Sequence, residues 1–145
     1  RLSDEIEHQL FGALQAKDAS AVAVLSAGLP VALAEAFAAL PQLYGDRSVL
    51  AEARARLPQL PAVVAALDTL DAIDAGLQGV EAAYDLAELR GYGYHSGVVF
   101  AAYTAGRSRA IAQGGRYDEV GKVFGRARPA TGFSLDLREL AVAGA

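Results

Sequence analysis

The sequence predicts an α+β fold: a helical segment over residues 1–79, then an antiparallel sheet region over residues 80–145, the two packing as one domain. Three observations predict it. In the first half, apolar residues recur at helical spacing between capping residues and prolines. From Ala82 the texture changes to short runs bounded by glycines and richer in Val, Phe and Tyr, which suit strands and turns. The chain of 145 residues is also 53% hydrophobic and only 21% charged, enough apolar surface for one core and too much for intrinsic disorder.

Taken in order, Ser3 is placed to cap a first helix with Asp4 and Glu5 in its first turn, and Ile6, Leu10, Ala13 and Leu14 share one face. Asp18 caps a second helix that ends near Gly28. Pro30 suits the first turn of a third, with Leu33, Phe37 and Leu40 on its stripe and Leu40-Pro41 closing it. A fourth begins near Ser48, carries Leu50, Ala53 and Leu57, and stops before Pro58. The fifth starts around Pro61, lines up Val64, Leu67, Leu70 and Leu77, and ends by Gly79.

In the second half, residues 82–89 and His95 to Thr104 read as strands. Ala105-Gly106-Arg107-Ser108 reads as a turn, with Arg109 to Gln113 returning as the antiparallel partner until Gly114-Gly115 stops it. Thr131 to Leu135 forms a last strand running into a helix over Asp136 to Val142.

Composition removes several classes of function. There is no cysteine, hence no disulfide, thiolate metal site or cysteine nucleophile, and a cytoplasmic location is the default. The apolar stretch Ala21 to Leu40 imitates a membrane span, but Gly28, Pro30 and Glu35 interrupt it, so two short helices explain it better. With no methionine and Arg1 in first place, the chain reads as a fragment of something longer. The net charge of −4 hides an asymmetry: residues 1–89 carry 5 Lys/Arg against 13 Asp/Glu, and residues 90–145 carry 8 against 4. The second half is therefore suited to face an anion, although its basic surface is too small to argue for nucleic acid.

Asp68, Asp71 and Asp74 recur every third residue, a spacing that suggests a divalent cation, but with no histidine or second element supplying ligands a solvated helix face is the better reading. No metal site or cofactor is predicted. His8, among glutamates at a helix start, has no second histidine at ligand spacing. Gly91, Gly93 and Gly97 form G-x-G-x-x-x-G, which departs from the dinucleotide fingerprint, and no nucleophile elbow or relay is present. No catalytic residue is predicted. What remains is Arg90, Tyr94, His95, Arg116 and Tyr117 around glycine-rich turns. Arginine forks suit carboxylates and phosphates, tyrosines give flat walls, and glycines allow close backbone approach.

Residues 89–100, Leu-Arg-Gly-Tyr-Gly-Tyr-His-Ser-Gly-Val-Val-Phe, resemble the histidine-binding signature of histidyl-tRNA synthetases, R-G-L-D-Y-Y-x-x-x-V-F. Ala112-Gln113-Gly114-Gly115-Arg116-Tyr117-Asp118 is similar to that family's A-x-G-G-R-Y-D, and residues 130–140 occupy the place of class II motif 3, G-F-x-x-G-L-E-R-L. The resemblance implies a class II synthetase-like antiparallel sheet flanked by helices. Asp136 stands for the second glycine of motif 3 and Glu139 for its phosphate-binding arginine, while Gly93 replaces the aspartate and His95 the second tyrosine of the first signature. A carboxylate at position 139 would repel a triphosphate, so the ATP site reads as lost.

That combination is similar to the ATP phosphoribosyltransferase regulatory subunits, the family's non-catalytic branch. The resemblance implies a homo-dimer within a hetero-oligomer with a short-form catalytic phosphoribosyltransferase, acting in the first step of histidine biosynthesis under feedback by L-histidine. Arg90 would face the ligand carboxylate, with Tyr94, His95, Gly114, Gly115, Arg116 and Tyr117 forming the pocket. A synthetase catalytic-core fragment and a free-standing small-ligand module are the alternatives.

Overall fold

The computed structural model describes residues 2–91 and 93–143, without the side chains at 123, 124 and 143. Tyr92, inside the first signature, lies outside the described residues. The chain divides into two compact units, Arg1–Leu89 and Arg90–Ala145.

The first unit is helical, for the local reasons the sequence supplies. Helix α1 (Asp4–Gln15) starts where the Ser3 side chain accepts the Ile6 amide at 3.4 Å, and α2 (Ala19–Ser26) where Asp18 accepts the Ala21 amide at 3.0 Å. Between them Lys17 takes a positive φ of 54°. Helix α3 (Val31–Ala39) follows Pro30 and runs into a 3-10 turn, Leu40–Gln42, so that Pro41 tightens the helix end rather than cutting it off. Helices α4 (Ser48–Arg56) and α5 (Pro61–Gly76) complete the set.

Two apolar clusters hold this unit. Leu10, Ala13, Leu14 and Val22 form one, with Phe37, Leu40 and Leu89 packed against it; Leu43, Val49, Leu50, Ala53, Leu67 and Tyr84 belong to the other. The Ser26 hydroxyl, buried, donates to the Val22 carbonyl at 2.7 Å, which satisfies the one polar group taken into the first cluster's helix.

The strand predicted over residues 82–89 is a correction. Only Tyr84–Asp85 is extended (β2), and it pairs antiparallel with Tyr44–Gly45 (β1), which the sequence reading left unassigned. Burial explains the pairing: Tyr84 drops its ring into the second cluster, and Lys17 bridges to Asp85 at 2.9 Å with its ammonium 4.5 Å above the Tyr44 ring. The segment accordingly goes with the helices, and the units divide after Leu89 instead of near residue 79.

The aspartates of α5 are engaged. Arg54 reaches Asp68 at 2.7 Å and also pairs with Asp71, clamping α4 to α5, while Asp74 forms an ion pair with Arg47 at 3.1 Å and accepts from the Tyr84 hydroxyl at 2.6 Å. Among the described residues no helix is long and apolar enough to cross a membrane.

The second unit is a three-stranded antiparallel sheet of order β3-β4-β5, with β3 Val99–Ala102, β4 Ala112–Tyr117 and β5 Ala130–Leu135. A 3-10 turn, Val120–Phe124, lies between β4 and β5, and α6 (Leu137–Ala143) follows β5 as predicted. Strand β3 is shorter than the stretch from His95 to Thr104, and β4 departs from expectation in the other direction. Gly114 and Gly115 do not stop it but sit mid-strand, opposite Phe100 and Val99 on one side and Phe133 and Gly132 on the other. A ladder needs only backbone groups, and neighbouring side chains cover the missing ones.

Candidate functional site: an aromatic cluster on a glycine floor

Side chains alternate along a strand, so cross-strand partners share a face of the sheet. One face carries Val99, Gly115 and Gly132 in a row, with Gln113 and Ser134 on one side of that row and Tyr117 on the other. At the centre of this face two glycines directly oppose each other and leave bare backbone.

Two aromatic rings lie on that floor. A Cβ added at Gly115 would stand 2.7 Å from His95 Cδ2, and one added at Gly132 would stand 2.7 Å from the Tyr117 hydroxyl oxygen, so each glycine is the room its ring occupies. His95 is delivered by a tight turn in which the Tyr94 and His95 amides both donate to the Gly91 carbonyl, at 2.9 and 3.0 Å. That turn needs left-handed backbone at Gly91 (φ 72°) and Gly93 (φ 91°), which explains why glycine rather than aspartate suits position 93 here. Tyr94 closes the cluster, with its ring 5.1 Å from His95 edge-on and 5.4 Å from Tyr117. Beyond the turn, Ser96 N donates to Arg116 O and Arg116 N to Val98 O, extending the ladder, and the Ser96 hydroxyl accepts the Asp118 amide at 2.6 Å.

Four of the site residues read from the sequence therefore come together, Tyr94, His95, Gly115 and Tyr117, and the others do not join them. Gly114 and Arg116 belong to the opposite face by the alternation of β4. The Arg116 guanidinium is held by Asp118 at 3.0 Å, which raises its pKa above the ordinary arginine value through that hydrogen bond. Its stem packs along Gly97. Arg90 lines a separate groove of about 780 Å³ with Tyr103, Arg109, Gln113, Ser134 and Arg138. The groove sits at the end of the sheet where Gln113 and Ser134, on the face of the glycine floor, and Ala112 and Leu135, on the other, all line it.

The two motif 3 departures have local roles. Asp136 also lines the groove, and its Oδ1 accepts the Arg138 and Glu139 amides, both at 3.1 Å, capping α6. Glu139 forms an ion pair with Arg107. Tyr103, Arg107 and Arg109 were missed in the sequence because they lie in the connection between β3 and β4, outside all three signatures. Among the described residues no group of three or more His, Asp or Glu side chains is placed to hold a metal ion.

A family model described as Histidyl-tRNA synthetase matches residues 1–140. The chain belongs to the histidyl-tRNA synthetase family. Among curated members, the ATP phosphoribosyltransferase regulatory subunit of Thiobacillus denitrificans is 83% identical over 138 residues, covering 95% of this chain and 43% of the relative. That of Ralstonia nicotianae is 59% identical over 140 residues, covering 97% and 36%. The chain thus spans less than half the length of these relatives.

Two solved structures of the family share the fold. One, an ATP phosphoribosyltransferase regulatory subunit/histidyl-tRNA synthetase from Bacillus halodurans, aligns with a TM-score of 0.78 at 24% identity over 97% of this chain and 38% of its own. The other, a histidine–tRNA ligase subunit from Alicyclobacillus acidocaldarius, gives 0.59 at 24% over 95% and 47%. The predicted synthetase-like architecture of helices and antiparallel sheet is the one found.

Proposed function

We propose that the full-length protein carrying this segment is a regulatory subunit of ATP phosphoribosyltransferase and catalyses nothing itself. The observation that carries the reading is the 83% identity to a relative of that name over 95% of the chain. In this reading the protein is cytoplasmic and forms a homo-dimer within a hetero-oligomer with a short-form catalytic subunit, supporting the first step of histidine biosynthesis. L-Histidine binds on the glycine-floored face and favours one assembly state over another, a coupling typically of about 1–3 kcal/mol.

The geometry supports a binding role. Aromatic walls over bare backbone suit a small flat ligand, and the neighbouring groove offers arginines for a carboxylate. Glu139 and Asp136, at the place of the family's ATP-contacting motif, are turned to an ion pair and a helix cap.

The test mixes the full-length protein with the short-form catalytic subunit of the same source. Sedimentation should detect a stable complex, and the enzyme's activity should become sensitive to histidine. Absence of a complex, with histidine sensitivity the same with and without the protein, would reject the reading. Histidine-dependent ATP–pyrophosphate exchange at synthetase-like rates would favour the catalytic-core alternative instead.

A further inference from the structure

The His95 imidazole is enclosed more tightly than a pocket wall needs to be. On one side a Cβ at Gly91 would stand 2.6 Å from Nδ1, and on the other a Cβ at Gly115 would stand 2.7 Å from Cδ2. The ring therefore lies between two stretches of bare backbone, with the Tyr94 ring at 87° closing an edge. The shape fits a small flat ring, but the hydrogen bonding does not: Nδ1 is buried and has no partner among the described residues. A buried polar atom left unpaired is uncommon and calls for a reason.

The tether supplies that reason. His95 reaches the slot from a backbone pinned by its own amide to Gly91 O, which limits how the ring can turn. The floor of the slot holds an acceptor, the Val98 carbonyl oxygen, 2.8 Å from where a Gly115 Cβ would be. It takes one hydrogen bond, from Arg116 N, and a carbonyl has a second lone pair. An untethered imidazole is free to rotate until its N–H meets that oxygen.

We propose that the slot between Gly91 and Gly115 is an imidazole-binding site that the chain's own His95 occupies, so that an external imidazole-bearing ligand enters when His95 swings out. His95 is then an occupant that competes with the ligand and sets its apparent affinity, because a ligand sees its site only in the fraction of molecules where the slot is clear. Only the identity of the natural ligand rests on the histidine reading proposed above.

The experiment titrates imidazole and L-histidine into the full-length protein by calorimetry, with thermal melting in parallel, for wild type, His95→Ala and His95→Phe. His95→Ala should bind imidazole at least about tenfold more tightly than wild type, the factor for a slot clear in about a tenth of molecules or fewer, and imidazole should raise its melting temperature. His95→Phe fills the slot without a polar nitrogen, so it should melt no lower than wild type and bind imidazole no more tightly. Imidazole binding by His95→Ala that is equal to wild type or weaker overturns the proposal, since His95 would then be a wall. Should His95→Ala fail to fold, the phenylalanine variant decides: melting well below wild type, or tighter imidazole binding, overturns it. A gain for imidazole without binding of L-histidine upholds the slot while rejecting the histidine reading.

Discussion

Arg107, in the turn after β3, forms an ion pair with Glu139 in α6. Glu139, which by resemblance takes the place of the motif 3 arginine, is thus part of a local tie between turn and helix. Glu139→Gln should destabilise the full-length protein by roughly 0.2–1 kcal/mol, the range for partly exposed pairs, read from urea denaturation. Glu139→Arg should cost more, because it sets two guanidinium groups together, and should still show no ATP–pyrophosphate exchange.

Tyr84 gives a pH signature in the helical unit. Burial first, then its hydrogen bond to the Asp74 carboxylate and that carboxylate's charge, push the phenol up to about 12. A pKa raised in the folded state above the unfolded value of about 10 stabilises fully below pH 10, and the contribution is lost as pH rises through about 12. Ultraviolet titration should resolve one late tyrosine that disappears in Tyr84→Phe. The same variant should lose about 1.5–3 kcal/mol at neutral pH, the range for a hydrogen bond to a charged group.

The glycines of the sheet should differ in their tolerance of a methyl group. A Cβ at Gly114 would run into the Gly132 carbonyl oxygen and the Phe133 Cα, both backbone, whereas one at Gly97 meets only the flexible Arg116 side chain, 3.2 Å at nearest. Gly114→Ala should therefore destabilise by about 1–3 kcal/mol, as overpacking does, and Gly97→Ala by clearly less. Thermal melts of the two variants check the order, and equal effects would mean that β5 is free to shift.

Arg90 tests the link between groove and cluster. If the ligand carboxylate extends from the glycine floor toward Gln113 and Ser134, Arg90→Ala should weaken L-histidine binding by about 1.5–3 kcal/mol with the fold intact. Unchanged affinity in calorimetry would place the carboxylate elsewhere.

The helices were legible because their boundaries are local: Ser3, Asp18 and Pro61 mark starts that need only neighbouring residues to act. The pairing of Tyr84–Asp85 with Tyr44–Gly45 was not, since two residues carry no periodicity and their partner lies about forty positions away. Gly114-Gly115 misled for a related reason. Paired glycines look like a break until one sees that Val99, Phe100, Phe133 and Gly132 flank them. Within the candidate site, Tyr94, His95 and Tyr117 were found by signature, but the separation of Arg116 from Tyr117 follows from strand alternation, which a motif printed as a line of letters does not display.

The facing pair Gly115 and Gly132 has a consequence for what signature matches mean in this family. Each glycine belongs to a signature shared with synthetases, and at each a Cβ would stand 2.7 Å from a ring atom of His95 or from the Tyr117 hydroxyl, so a side chain there competes with a ring for its place. Glycine at these two places is explained by packing, independently of any reaction. A match to such letters therefore speaks first for the shape of the sheet, and only then for what binds on it.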